Sequence, residues 1–369
     1  MKEFKYWKKL HDQGDLQPLY TNPSGLLWVK TKSIIRKDLI DEFVKSNNIR
    51  LIQKSLAGKF AELFEILNKD IKNSGSLLDS YIKHKSRARL KNLHSRKLVS
   101  ELYKLKTFEW GGDYQNSLDK YLVSHYVKTY QSYNSLTIKL ETEIPQAVRG
   151  YVLNSWYNHW SSILIESIIH SHSKVLPTVG KIKGVDFFLE NIPFDLKVTY
   201  LPAEYIKIKR KQMGLPVELT FIKQKAKEAG ITYDKGNSPS EIYHEITEKM
   251  KDRNDKYCLS VLDKLNKEKI AILEEAKKHP VLLKKWLYEN QGEMRFGSEN
   301  RLFLILVDTK DFNNSWKLKR NIQLLKPAID KYLTRFKRNY IKNLEVSFRY
   351  KDRNKEYNAL SDIIFIVKK

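Results

Sequence analysis

The 369-residue chain is predicted to be an α/β protein with a mixed central sheet flanked by helices, a mostly helical basic region before it and a helical insertion within it. Three observations predict this. Two short apolar runs, Lys183–Leu189 and Ile192–Tyr200, are separated by only two residues and read as a β-hairpin. The run Arg301–Val307 (RLFLILV) is apolar almost throughout, as expected of a strand buried on both faces. Around these runs, apolar residues recur at spacings of three and four, the period of amphipathic helices.

Residues 1–144 form the basic, mostly helical region. Segments such as Ser33–Asn48 and Lys54–Asn68 carry the helical period. The stretch Lys83–Lys97 holds Lys83, Lys85, Arg87, Arg89, Lys91, Arg96 and Lys97 and no acid. Such a stretch is either a solvated helix face or a surface that meets phosphate. Residues 145–369 form the second unit. A long helix begins at Pro145, where a missing N–H is tolerated, and runs through Trp156, Trp160 and Leu164 to about His170. A Gly-punctuated stretch leads into the hairpin. Helices are expected at Val217–Ala229, Pro239–Met250, Asp255–Lys278 and Pro280–Asn290 in an insertion over about 203–297. After Arg301–Val307 come a helix at Trp316–Phe336 and strands at Leu344–Tyr350 and Asp362–Val367.

Charge narrows the function. There are 68 basic and 43 acidic residues, a formal net charge of +25, which calls for a polyanionic partner. Nucleic acid is the leading partner class, an anionic membrane surface the second, and a lysine-rich compositional bias the plain alternative. The single cysteine, Cys258, excludes an intramolecular disulfide and a cysteine-based zinc cluster. No apolar run reaches the roughly 18 residues that span a bilayer, and the N-terminal segment MKEFKYWKKLHDQGDL lacks an apolar leader core. No membrane partner and a cytoplasmic location are therefore expected. Gly-rich phosphate loops, a Ser-His-Asp series and HExxH spacing are absent from the sequence.

The chemistry centres on Asp186 and on Asp195-Leu196-Lys197. If Glu190-Asn191 is the turn, Leu189 faces Ile192 and, three steps back along each strand, Asp186 faces Asp195. Opposed side chains share a face with Cβ atoms about 4.5–5.5 Å apart, and Lys197 points to the same side. Two carboxylates so placed repel unless a proton or cation lies between them, and their oxygens suit a hard ion such as Mg²⁺. A lysine beside them can orient or deprotonate water and offset phosphate charge, as metal-assisted phosphodiester hydrolysis requires. Acid-x-Lys also occurs at Glu3–Lys5, Asp70–Lys72, Glu275–Lys277 and Asp308–Lys310, but without an acid facing it across a hairpin. The plain alternative is an edge hairpin with a salt bridge from Lys197 to either aspartate.

Lesser candidates surround this set. Glu166 lies on a polar stripe with Ser155, His159, Ser162 and His170, equally readable as solvated or as facing the acids. Gln291, Arg295, Asn300 and Arg301 precede the apolar strand, and Lys317, Lys319 and Arg320 open the following helix. These are candidate phosphate contacts or ordinary surface. Of the basic residues, Lys83, Lys85, Arg87, Arg89, Lys91, Arg295, Lys319 and Arg320 are the candidate DNA contacts. Trp156, Trp160, Trp286 and Trp316 read as core anchors and Cys258 as packed and inert.

Asp186 with Asp195-Leu196-Lys197, on a hairpin following a helix, resembles the PD-(D/E)XK nuclease superfamily over roughly residues 145–200 and 300–367. The resemblance implies a restriction-endonuclease-like core: a helix, a three-stranded antiparallel section, a crossover helix and a further strand. It assigns Asp186 and Asp195 as the acids, Lys197 as the motif lysine, and the Leu196 backbone carbonyl as an extra metal ligand. It also allows Glu166 as an assisting helix acid. Val185 stands where the family often has proline, and Pro193 inside the second strand must face an unpaired edge or mark a bulge. The implied function is a Mg²⁺-dependent endonuclease cutting double-stranded DNA, with Mn²⁺ as the alternative ion. It is most like a type II restriction enzyme, working as a homodimer, with a DNA methyltransferase of the same specificity as a partner. A structure-selective repair or recombination nuclease, or a nucleic-acid-binding protein that no longer cuts, are the alternatives.

Overall fold

The computed structural model describes residues 2–107, 118–290, 298–337, 341–349 and 356–369. Six strands form one mixed sheet: β1 (Val175–Ile182), β2 (Val185–Leu189), β3 (Ile192–Tyr200), β4 (Arg301–Asp308), β5 (Glu345–Arg349) and β6 (Glu356–Lys368). Their order is β1-β2-β3-β4-β6-β5. β1, β2 and β3 make an antiparallel meander, β4 runs parallel to β3 and to β6, and β5 closes the edge antiparallel to β6.

The hairpin folds as its spacing predicts. Glu190 and Asn191 both take positive φ (51° and 64°), the tight two-residue turn that matches strand twist. Register follows as Leu189↔Ile192, Phe188↔Pro193 and Phe187↔Phe194. Pro193 needs no bulge: on the side away from β2 this stretch of β3 has no strand partner, because the ladder to β4 begins only at Asp195. In this register it sits at a position whose nitrogen points away from β2, and its carbonyl accepts from Asn300 Nδ2 (3.1 Å).

The residues themselves do not signal β1, although the resemblance implies a third antiparallel strand. Pro177 and Gly180 break the alternation of VLPTVGKI, and the strand survives because it lies at the sheet edge, where proline is tolerated. Its register with β2 shifts between Pro177 and Ile182. The helix expected at Trp316–Phe336 is two pieces, a 3₁₀ segment Phe312–Arg320 and an α-helix Ile322–Arg335. Asn321 divides them, its side chain accepting from Leu324 N–H as an N-cap. The closing strands are Glu345–Arg349 and Glu356–Lys368, and Tyr350 lies outside the described residues.

Helices cover both faces of the sheet. On one, the long helix Ile144–His170 and Ile322–Arg335 pack Ile165, Ile169 and Ile329 onto Phe187, Phe194, Leu302 and Leu304. On the other, Ala203–Gln212, the later turns of Lys256–Lys278 and Pro280–Asn290 pack Tyr205, Ile272 and Leu287 onto Phe303, Ile305 and Val307. All eight residues of β4 are therefore buried, the reason its sequence is apolar between Arg301 and Asp308. Within the 203–297 segment, Ala203–Gln212 and Pro280–Asn290 thus belong to the layer over the sheet. Its middle, with Phe221, Ile246, Met250 and the buried Cys258, has a small core of its own.

The N-terminal helices share a core with the hairpin. Trp28, Phe43, Phe64 and Ile82 pack with Leu176, Val179, Ile182, Val185 and Phe188, so this packing crosses residue 144. At its tightest point Ser33 Oγ accepts from Val179 N–H (3.1 Å), and a Cβ on Gly180 would press into the Ser33 carbonyl oxygen. Backbone meets backbone there, so neither side can turn away. Gly180→Ala should lower stability by about 1–3 kcal/mol, read as a reduced urea midpoint. An unchanged midpoint would mean that the two layers are free to separate.

Candidate active site

The two acids meet where the hairpin opens. Two residues beyond Phe187↔Phe194, the N–H of Leu196 would be expected to bond the Val185 carbonyl. It donates instead to Asp186 Oδ2 (2.7 Å). The carboxylate thus replaces a ladder bond and is held against β3. Asp195 N–H donates the other way, to the Asn300 carbonyl (2.9 Å). By strand alternation, the backbone groups of Leu196 face the Asp186 side and not β4. β3 is an inner strand, so this is no edge hairpin.

Lys197 stands two residues on, its side chain 48% exposed, with Nζ 2.8 Å from Asp195 Oδ2 and 3.0 Å from Oδ1. The salt bridge expected from the plain reading is therefore present, made to Asp195. Arg301, paired with Asp195 across the β3–β4 ladder, brings Nε within 3.8 Å of Asp195 Oδ2 and bonds Glu299 Oε2 (3.0 Å). Its guanidinium lies 4.9 Å from the centre of the Tyr288 ring.

Four carboxyl groups act on one another here. Burial pushes Asp186 up to about 6, with the Asp195 charge adding to it and the Leu196 N–H and Lys197 pulling it down. Burial pushes Glu166 up to about 7, and the Asp186 charge adds to that while Arg89 opposes it. Burial also raises Glu299 despite its Arg301 partner, with Asp195 again adding. Its Oε1 is buried without a hydrogen-bond partner, and Gly184, at φ 75°, leaves just enough room beside it.

Asp186 and Asp195 fit a hard divalent cation: oxygen donors, more negative than the nearby cations neutralise, with the Leu196 carbonyl on the same side of the strand. Among the described residues no three His, Cys, Asp or Glu side chains converge as a ready cage. A site of two carboxylates, main chain and solvent suits Mg²⁺, which keeps several waters.

Several residues here were not singled out by the sequence. Glu299 was one, although a Glu-x-Arg pair at the mouth of an apolar strand was a usable signal. Tyr20, from Gln17–Thr21, is buried, and its hydroxyl is raised by burial and by Glu299 and Asp195. Gln17 Nε2 reaches the Ser298 carbonyl and Asn300 Oδ1, both at 3.0 Å. Nothing local in the sequence marks either residue.

The other candidates divide. On the polar stripe His159 is exposed, while Glu166 and His170 are half-buried. Burial pushes His170 down to about 4, although the Asp186 main chain favours its charged form. On the Ile71–Lys91 helix, Lys85 pairs with Glu42, and Arg89 donates to the Val179 carbonyl (2.9 Å). Lys83, Arg87 and Lys91 are exposed. Lys319 and Arg320 are buried, contrary to expectation. Arg320 bonds the Leu102 and Leu105 carbonyls (2.7 and 2.6 Å) between aromatic rings. Lys319 bonds Asn158 (2.8 Å), and burial pushes its ammonium down to about 8. Arg320 thus caps carbonyls at and after the end of the Ser95–Leu102 helix, and Lys319 is bound to the side of the long helix. Asn300 and Arg301 are buried at the acids, and Gln291 and Arg295 lie outside the described residues.

Compared with family models, with curated proteins and with solved structures, the chain finds no match in any of the three. Among the described residues no helix is long and apolar enough to cross a membrane.

The raised Glu166 carboxyl makes stability depend on pH. A carboxyl whose folded value lies above its unfolded one stabilises the fold while protonated: fully below about pH 4.5, and lost as pH rises through about 7. Glu166→Gln, neutral at every pH, should melt above the wild type at pH 8 in EDTA, the gap closing by pH 4.5. Equal melting temperatures at pH 8 would mean that Glu166 carries no such burden.

Proposed function

We propose that the protein is a Mg²⁺-dependent endonuclease of PD-(D/E)XK type acting on double-stranded DNA, most like a type II restriction enzyme. The observation that carries this reading is the juxtaposition of Asp186, bonded to Leu196 N–H, with Asp195 and Lys197 on the adjoining strand. The meander β1–β3, the helical crossover and the parallel β4 support a restriction-endonuclease-like core. The net charge of +25 supports a polyanionic substrate.

Asp186, Asp195 and the Leu196 carbonyl would hold the ion. When bound, such an ion polarises phosphate and acidifies water. Lys197 is the mobile cation of the set: half exposed and two residues from Asp195, it can leave that carboxylate to meet phosphate or orient the attacking water. Arg301 and Glu299 keep Asp195 oriented from the buried side. Glu166, protonating near neutral pH, is suited to pass a proton during attack or departure. One such centre cuts one strand, so a double-strand break calls for a homodimer or for sequential nicking. A cytoplasmic restriction enzyme further calls for a methyltransferase that marks the same sequence.

Plasmid and phage DNA incubated with the protein and Mg²⁺ should give discrete bands that vanish with EDTA. Lys197→Ala and Asp186→Asn should each cut at least about 10²-fold more slowly, the lower end for loss of an acid–base or electrostatic group. A smear would shift the reading toward non-specific or structure-selective cutting. Intact DNA in every lane, across unmethylated substrates, would overturn it in favour of a binding protein.

A further inference from the structure

One turn beyond Glu166, the Ile71–Lys91 helix and the corner between the long helix and β1 enclose a groove of about 650 Å³. Lys83, Arg87 and Lys91 line one wall, four residues apart and therefore on one face of the helix. All three are exposed, and no carboxylate among the described residues pairs with them. Elsewhere the chain habitually pairs helix lysines with an acid one turn away, as in Lys8–Asp12, Lys139–Glu143, Lys249–Glu245 and Lys326–Asp330. Like charges at i, i+4 destabilise a helix, so three in succession need an anion to offset them.

His170 and Ser173 stand on the opposite wall. His170 Nε2 is buried without a hydrogen-bond partner, while the same ring feels the Asp186 main chain. Arg89, next along the basic helix, extends its field to both Glu166 and His170. The inner wall of the groove, at His170, lies one helical turn from Glu166. Its length also fits a nucleic acid. Eight residues of helix rise about 12 Å, and one strand of a duplex carries a phosphate about every 3.4 Å of axis, so the stripe spans three to four phosphates.

We propose that this groove binds the phosphate backbone of duplex DNA beside the acids, with Lys83, Arg87 and Lys91 each neutralising a phosphate and His170 completing the inner end. The choice of DNA rests on the nuclease reading above, but the test reads binding and not cleavage. Anisotropy of a labelled duplex would be followed against salt concentration with the full chain in EDTA. The variant Lys83→Gln/Arg87→Gln/Lys91→Gln would be compared with Lys211→Gln/Lys227→Gln/Lys235→Gln, which removes the same charge from exposed positions of the insertion.

The groove variant should lower the slope of log K against log salt by about 2–3, and each single substitution by about 1, close to 0.9 per lost phosphate contact. The insertion variant should leave the slope unchanged. Equal effects of the two triples, an unchanged slope in the groove variant, or no duplex binding by the wild type would each overturn the proposal. So would vesicles of anionic lipid that lose binding through the groove substitutions while DNA binding persists. If the wild type binds through the groove but does not cut with Mg²⁺, the nuclease reading fails alone. If it cuts while the slope is unmoved, the groove fails alone.

Discussion

The acid-bearing end of the sheet depends on Asn300. Its side chain is fully buried and uses its bonding capacity across three separate parts of the chain. Nδ2 donates to the Pro193 carbonyl of β3, and Oδ1 accepts from Leu360 N–H of β6 and from Gln17 of the N-terminal helices. Its own carbonyl takes the N–H of Asp195. An amide here does what a further residue of strand would do, joining β3 to β6 just before β4 begins. It also compensates for Pro193, which offers no N–H on that side. The alignment of Asp195 with Arg301, and so the depth of the carboxylate, follows from this one residue. Buried networks of this kind fix a single arrangement because each unmade bond is costly.

Around that anchor the protein inverts its own charge. The surface is strongly basic, yet Asp186, Asp195, Glu299 and Glu166 act on one another at the open end of the hairpin. Lys197 answers part of this charge at Asp195 and Arg301 answers it at Glu299 and Asp195, while the Asp186 carboxylate accepts a peptide N–H. A fold selected for stability alone would not push three carboxyls upward by burial. Local conflict inside a consistent framework is expected where chemistry is done. Under the function proposed above, the same inversion would serve a phosphodiester substrate: the basic rim would attract the polyanion, and the acidic floor would favour a cation between it and the scissile group.

How far the sequence discloses this varies by residue. The hairpin, its register and the facing of Asp186 toward β3 follow from a two-residue turn and strand alternation. β4 follows from its unbroken apolar run. β1 does not, because Pro177 and Gly180 hide its alternation and only the edge position makes them tolerable. Charged residues are the least legible. The 83–97 run looks uniform, but helical phase sends Lys85 to Glu42, Arg89 to a β1 carbonyl, and Lys83, Arg87 and Lys91 into one open stripe. Lys319 and Arg320 looked equally available and are buried, since carbonyls at Leu102 and Leu105 and nearby aromatic rings receive the arginine. Partners far away in sequence decide such fates.

The same distant partners join the basic region to the chemistry. Gln17 and Tyr20 come from one short helix and reach the Asn300 side chain and the field of Asp195 and Glu299. Lys30, itself buried, pairs with Asp79 (2.8 Å) and bonds Asn191 of the hairpin turn (2.9 Å). Ser33 and Arg89 hold the two sides of Val179. Both ends of the meander carrying the acids are thus fastened to the first ninety or so residues. Burial is the leading cause of the raised carboxyls, and these helices supply part of that burial. Remove the basic region and the hairpin loses its turn clamp, its edge partner and much of its dryness together. The basic helix and the site that keeps its acids from water are then one construction.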